Sequence, residues 1–211
     1  MDKGVLTIIS GFSGSGKGTI LNEMLKRYDN YSLSVSATTR KPRVGEVEGK
    51  SYFFKSKEEF EDMIEKDELI EYAKYVDNYY GTPKAYVMEK LAEGKDVILE
   101  IEIQGALKVK EKYPDAMLVF ISTPSALCLK KRLEERATES SEQVEARLKR
   151  AVEEADSMDS YDYIIINDDL DTAVKDMHAL IRSAKHKTVH NKKLIEAIKS
   201  DLKKEFAKEK N

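Results

Sequence analysis

The stretch Gly11-Phe12-Ser13-Gly14-Ser15-Gly16-Lys17-Gly18-Thr19 constrains this chain more than any other. Val5-Leu6-Thr7-Ile8-Ile9-Ser10 precedes it, a short apolar and β-branched run that reads as a buried strand. Ile20, Leu21, Met24 and Leu25 follow at helical spacing, with no proline to stop them. Strand, glycine-rich turn and helix make the setting of a phosphate-binding loop. Glycines let the backbone bend tightly and bring N–H groups close to anionic oxygens. The helix N-terminus adds positive potential, and Lys17 adds a full charge. One position departs from the usual pattern: Gly18 follows the lysine, where Ser or Thr ordinarily offers a hydroxyl to Mg²⁺. Thr19 comes one place later, so its hydroxyl is expected at a phosphate, with the metal held mainly by water and nucleotide oxygens.

The chain has 211 residues, enough for one α/β domain with inserted pieces. It is 41% hydrophobic and 36% charged, which suits a globular fold with a heavily charged surface. A net charge of -3 gives no general attraction to nucleic acid. Cys128 is the one cysteine, so no intrachain disulfide forms and a reducing cytoplasm is the expected location. Met1-Asp2-Lys3-Gly4 leads straight into the first strand, so no signal peptide is expected, and no apolar run is long enough for a membrane-spanning helix.

Along the chain, Tyr31 to Val35 reads as a strand, followed by the polar loop Ser36-Ala37-Thr38-Thr39-Arg40-Lys41-Pro42-Arg43-Val44-Gly45-Glu46. Ser51 to Phe54 is a short strand, and Ser56-Lys57-Glu58-Glu59 is a capping box opening a helix to about Lys66. Leu69 to Tyr75 and Asn78 to Thr82 form a hairpin; Pro83 then opens a helix that Gly94 ends. Asp96 to Glu102, Ala116 to Ile121 and Tyr163 to Ile166 are buried strands separated by helices. That alternation predicts an α/β fold: a mostly parallel sheet with helices on both faces, in the manner of phosphate-loop NTPases. The expected organisation is a single domain with its core in 1–35 and 94–185, an inserted β-rich subdomain over about 36–93, a helical lid over about 126–157 and a basic extension over about 186–211.

Taken together, these blocks resemble the guanylate kinase family over about residues 3–185. The resemblance rests on the phosphate loop, on Ser36 to Arg43 with Gly45-Glu46, on Gly49-Lys50-Ser51-Tyr52-Phe53, on Asn78-Tyr79-Tyr80-Gly81-Thr82, on Glu100-Ile101-Glu102-Ile103-Gln104-Gly105 and on Ile166-Asn167-Asp168-Asp169-Leu170. It implies an ATP-binding core, an inserted GMP-binding subdomain and an arginine-bearing lid. The implied reaction is ATP + GMP → ADP + GDP with Mg²⁺, extending to dGMP. It also implies an ATP site formed by Gly11, Ser13, Gly14, Ser15, Gly16, Lys17, Gly18 and Thr19 with Arg132, Asn167 and Asp168. The implied GMP site comprises Ser36, Arg40, Arg43, Tyr52, Glu71, Tyr80, Thr82 and Glu102. Lys17, Arg40, Arg136 and Arg147 are the residues it places at the transferred group, and Glu100 and Thr19 lie near the metal. Two positions differ from the family's usual residues, Glu100 for Asp and Ala137 for Gly at the lid's turn.

The residue chemistry supports these expectations. Arg40 and Arg43, three apart in a proline-containing loop, offer two guanidinium forks, and Tyr52 and Tyr80 in nearby strands add hydroxyls, a plausible clamp for an acceptor phosphate. A carboxylate at Glu71 can accept two parallel N–H bonds from guanine, at N1 and the 2-amino group, where adenine offers neither. Thr82 is also readable as an N-cap before Pro83. Glu100 and Glu102 alternate along a buried strand and are expected on one face near its C-terminal end, where ligands of open α/β sheets gather. Arg132 and Arg136, four apart, share a helical face and with Arg147 can embrace the transferred group as a lid closes. None of His178, His186 and His190 falls in a motif; a phosphate acceptor with a second pKa of about 6 is already largely dianionic and needs no general base.

From Lys185 onward nine lysines stand against four acidic residues, +5 locally and therefore -8 for the remainder of a chain of net charge -3. Ile195, Ile198, Leu202 and Phe206 follow helical spacing beside Leu194, which predicts an amphipathic helix packed on its own core or on a second subunit, with contact to nucleic acid or a membrane surface as the alternative. The expected partners are ATP and GMP, with no membrane, no specific nucleic acid, and self-association through this helix. Two alternatives stand: a guanylate-kinase-like peptide-binding module without catalysis, and a kinase of similar fold for another phosphorylated acceptor. Lys17 with its glycines and the lid arginines weigh against the first; Glu71 with Ser36 and Thr82 weighs against the second.

Overall fold

The computed structural model describes residues 4–75, 77–135 and 140–206. Strand β1 (Leu6–Gly11) runs into the glycine loop and helix α1 (Lys17–Arg27), then β2 (Tyr31–Leu33). Next come β3 (Ala37–Thr38), β4 (Phe53–Phe54), α2 (Lys57–Glu65), the hairpin β5 (Leu69–Tyr75) and β6 (Asn78–Pro83), and α3 (Lys84–Ala92). The chain returns through β7 (Asp96–Glu100), α4 (Ile103–Lys112), β8 (Met117–Ser122), α5 (Ala126–Glu134), α6 (Ser141–Ala155), β9 (Tyr163–Ile166), α7 (Leu170–Ala184) and α8 (Lys192–Phe206).

Two sheets result. The central one is five-stranded and parallel, in the order β2-β7-β1-β8-β9, with Ile8 beside Leu99 and Leu118. The second is four-stranded, in the order β4-β3-β6-β5, and every strand of it comes from the segment between β2 and β7. The composition of the central strands explains their position. β1 turns Leu6 and Ile8 to one face and Ile9 to the other, so both faces must be covered. On the first face Val87 and Leu91 of α3 and Val109 of α4 pack on Leu6, Ile8 and Leu99. On the second, Ile20 and Met24 of α1 and Val174, Met177 and Ile181 of α7 pack on Ile9, Ile98 and Val119. Each fully buried side chain of this size contributes about 1.5–3 kcal/mol relative to exposure. A separate small core of Ala37, Phe60 and Leu69 supports the second sheet. Asp96, buried at the start of β7, is compensated by the Val5 N–H at 3.0 Å, the Asn30 amide and Lys185.

The capping boxes at Ser56 and Ser140 both form, as their sequences dictate. Several boundaries differ from expectation: β2 ends at Leu33 and β4 begins at Phe53, each two residues short. β7 ends at Glu100, because its pairing with β1 stops at Ile9, and Glu102 becomes the N-cap residue of α4. Glu100 and Glu102 therefore do not share a strand face. Pro83 pairs with Leu69 at the end of β6 and caps α3 from outside instead of opening it. Thr82 is not a helix cap; its hydroxyl is used elsewhere. The expected packing of the C-terminal helix on its own core is also absent: α8 buries no residue, and Leu194, Ile198, Leu202 and Phe206 are exposed.

Candidate active site

The glycine loop lies where β1 leaves the sheet. Gly16 caps α1 with φ +91°, a conformation that side chains rarely adopt, and a Cβ there would come within 2.3 Å of the Asn167 amide. That amide donates to the Ser15 carbonyl at 2.7 Å. Arg132 from α5 donates to the Asn167 carbonyl at 2.7 Å and to Ser15 at 3.4 Å. Lys17 folds its ammonium onto the Gly11 and Phe12 carbonyls at 2.6 and 3.1 Å, while Ser15 N–H donates to Phe12 at 3.0 Å. With these carbonyls engaged by the protein, the loop's conformation is set before any ligand arrives. Arg147 on α6 donates to the Ser13 hydroxyl, so a second helix reaches the loop. Gly14, Gly16, Thr19, Arg132, Asn167, Asp168 and Leu170 line an open cleft of about 320 Å³. A Cβ on Gly18 would touch nothing within 4 Å, so packing leaves room there for the missing hydroxyl.

On the second sheet, Arg40, Tyr52 and Tyr80 come together. The Arg40 guanidinium lies 5.3 Å from the Tyr52 ring centroid, and the two tyrosine rings are 6.2 Å apart and edge-on. Arg40 donates to Glu46 at 2.7 Å, a bond that pushes the guanidinium pKa still higher and holds the Glu46 carboxyl below its ordinary range. Arg43 is exposed, and its backbone N–H is the group Glu46 takes. Ser36 precedes β3, its carbonyl accepting from Phe53 at 2.9 Å.

Glu71 sits where the β5–β6 register shifts, a bulge of the kind that re-aims a side chain. The Thr82 hydroxyl, fully buried, donates to Glu71 Oε1 at 2.8 Å. Burial pushes the Glu71 carboxyl up, and the Thr82 bond and the Lys108 charge pull it partly back. Gly105 of α4 lies against the other oxygen: a Cβ there would stand 3.1 Å from Oε2. Glu100, at the open end of β7, is likewise raised by the protein around it and lowered by Lys17. Glu102 is largely exposed and pairs with Arg150 of α6 at 2.6 Å; Arg150 also holds Glu154. Arg136 and the Ala137 turn lie outside the described residues.

The structure thus gathers Gly16, Lys17, Arg132, Arg147 and Asn167 at the loop, Arg40 with Tyr52 and Tyr80, and Glu71 with Thr82, with α6 touching both the loop and Glu102. Asn167 proves to be a tether for the loop, which its place after a strand did not reveal. Glu46, Gly105 and Arg150 are additions. A glycine inside a helical pattern costs about 1 kcal/mol and so signals a close approach, which was the available clue to Gly105. His178 is engaged away from the loop, stacked on Tyr28 and hydrogen-bonded to the Tyr31 hydroxyl at 2.7 Å. Among the described residues no helix is long and apolar enough to cross a membrane, and no three metal-ligating side chains of the His, Cys, Asp and Glu types cluster.

A parallel sheet ending in a tethered glycine loop and Lys17, faced by a second sheet with its own cationic site, defines a phosphate-loop nucleotide-binding protein. The guanylate kinase family model matches residues 3–184. The guanylate kinase of Caldanaerobacter subterraneus subsp. tengcongensis is 50% identical over 199 residues, 94% of this chain and 97% of that protein. The guanylate kinase of Clostridioides difficile is 51% identical over 201 residues, 95% of this chain and 98% of that protein. The crystal structure of guanylate kinase from Anaplasma phagocytophilum superposes with a TM-score of 0.73 at 31% identity, covering 97% of this chain and 96% of that one. The chain belongs to the guanylate kinase family.

Proposed function

We infer that this chain transfers the γ-phosphoryl group of ATP to GMP, giving ADP and GDP. The observation that carries the choice of acceptor is Glu71, a desolvated carboxylate held on one oxygen by Thr82, with its other oxygen beside a glycine. Guanine's N1–H and 2-amino group are the paired donors such a carboxylate lacks; adenine would strand it. An assay of ADP release across GMP, dGMP, AMP, CMP and UMP tests this. Turnover is expected with GMP and dGMP, and a preference for AMP or a pyrimidine nucleotide would overturn the reading.

In this reading residues 36–93 are the GMP-binding subdomain, residues 126–157 the lid, and the rest of 1–185 the ATP-binding core. Lys17 and the loop N–H groups hold the donor's outer phosphates, and Arg132, Asn167 and Asp168 border its nucleoside. Arg40, Arg43, Tyr52 and Tyr80 grip the acceptor phosphate, Ser36 and Thr82 assist at the base, and Glu102 contacts the nucleoside once Arg150 yields it. Arg136 and Arg147 approach the transferred group from the lid. Phosphoryl transfer asks for charge neutralisation and in-line placement more than covalent help, and this is what a ring of lysine and arginines supplies. No base is required, because the acceptor phosphate is already largely ionised.

The donor set suits Mg²⁺. The Glu100 carboxylate, near enough to feel the Lys17 charge, is a hard oxygen donor, and Mg²⁺ needs few protein ligands because it retains water and binds phosphate oxygens. Water and nucleotide oxygens would hold most of it, with Glu100 and Thr19 beside it, the ion supplying charge neutralisation to the phosphates. The cytoplasm is the proposed location, where both nucleotides are available.

Self-association through α8 is proposed as well, with a second copy as the occupant. The exposed stripe Leu194, Ile198, Leu202 and Phe206 lies in a segment of charge +5, complementary to the -8 of the remaining chain. Sedimentation velocity of the full chain is expected to show a dimer or larger species, and Ile198→Asp with Leu202→Asp a monomer. A monomeric wild-type chain at tens of micromolar, or a variant as associated as wild type, overturns the proposal.

A further inference from the structure

Arg40 begins a loop that little else supports: Lys41, Pro42, Arg43, Val44 and Gly45 are all exposed. Glu46 is the exception, with only 20% of its side chain exposed, and 15% for Arg40. Both carboxylate oxygens of Glu46 are engaged. Oε1 accepts from Arg40 Nη2 at 2.7 Å, and Oε2 accepts from the Arg43 backbone N–H at 2.7 Å. The Glu46 N–H returns a bond to the Arg43 carbonyl at 3.1 Å, closing a turn that Gly45 makes with φ +88°. The other terminal nitrogen of Arg40 donates to the Lys41 carbonyl at 2.8 Å, and Tyr52 lies against the guanidinium. One acidic side chain therefore joins the Arg40 fork, which the Lys41 carbonyl, Tyr52 and Tyr80 also contact, to the backbone carrying Arg43.

We propose that Glu46 is the positioning residue of the acceptor-phosphate site, an inference that rests on the GMP reading above. A long arginine on an exposed loop loses rotamer freedom when it binds a phosphate; one held beforehand has already lost it. Arginine has five N–H donors, so engagement with Glu46 and Lys41 leaves others for a phosphate. Glu46 carries negative charge beside a site for anions, which binding alone would not favour. Its net benefit therefore comes from orientation, as in other preorganised sites. Glu46 touches neither nucleotide in this scheme and acts through Arg40 and Arg43.

The experiment is steady-state kinetics on Glu46→Ala, Glu46→Gln, Arg40→Ala and the Arg40→Ala/Glu46→Ala pair, with GMP and ATP varied in turn. Glu46→Ala is expected to raise KM for GMP by about 10- to 100-fold, the range for a misplaced binding group, while KM for ATP stays within about twofold. Glu46→Gln keeps one acceptor oxygen and should recover part of the loss. Because Glu46 acts through Arg40, its removal should cost several-fold less in the Arg40→Ala background than in wild type. Thermal unfolding should be little changed, which separates positioning from loss of fold. An unchanged KM for GMP in Glu46→Ala, or an equal effect in both backgrounds, overturns the inference. A wild-type chain without GMP turnover overturns the acceptor reading itself; an active wild type, an impaired Arg40→Ala and an unimpaired Glu46→Ala overturn only the role of Glu46.

Discussion

Lys17→Ala is expected to fold normally and to lose on the order of 100-fold or more in kcat, about 2.7 kcal/mol of transition-state stabilisation. Two observations motivate the size. Lys17 sits at the end of the glycine loop, at the start of α1, where the helix N-terminus and the side chain act on the same anion. It also donates to the Gly11 and Phe12 carbonyls, which keeps the ammonium at the loop. The variant loses those tethers too, and KM for ATP should rise, but by less than kcat falls, because charge developing during transfer is what a preorganised cation meets best. Circular dichroism and thermal unfolding establish the fold; a correctly folded Lys17→Ala protein with near-normal turnover would remove Lys17 from the catalytic machinery.

Glu71→Gln is expected to act on base choice. Wild type should prefer GMP over AMP by roughly 10⁴-fold or more, since the wrong base strands a buried polar group. The amide retains one acceptor oxygen, and the Thr82 hydroxyl already donates at that side of the group, at 2.8 Å in the parent. The amide's NH₂ then faces guanine's own donors. GMP kcat/KM should fall sharply, AMP should change little, and KM for ATP should stay close to wild type because the loop and its cleft are built from other elements. Burial raises the carboxyl of Glu71, which marks a poorly solvated group that guanine's donors would satisfy. A Glu71→Gln enzyme that keeps wild-type kcat/KM for GMP would show that the guanine reader lies elsewhere.

Much of the architecture was legible because it is local. Six ordered motif blocks, two capping boxes and four apolar runs separated by amphipathic segments are short-range signals, and each formed within a residue or two of its expected place. The phosphate loop was legible for the same reason: glycines with φ near +90°, a strand before and a helix after are all written within about fifteen residues. The boundaries that moved were decided by pairing across the sheet. β7 stops at Glu100, whose partner Ile9 is the last in the register with β1, and the chain then turns into α4, which made Glu102 a helix cap held by Arg150 instead of a strand residue.

What the sequence alone determined, then, is the residue inventory and the order of elements: which side chains can bind phosphate, and that a parallel sheet with an inserted second sheet must carry them. Tertiary structure alone decided how those side chains are held. Asn167 tethers Ser15 from 152 positions away, Arg147 reaches Ser13 from 134, and Gly105 makes room for a carboxylate on a different element. Glu46 is a partial exception, only six residues from Arg40, yet its use of both oxygens depends on a loop conformation set by Gly45. The physical reason is the same in each case. A hydrogen bond between distant residues has its geometry fixed by the packing of the elements that carry them, and no local spacing along the chain encodes that distance or angle.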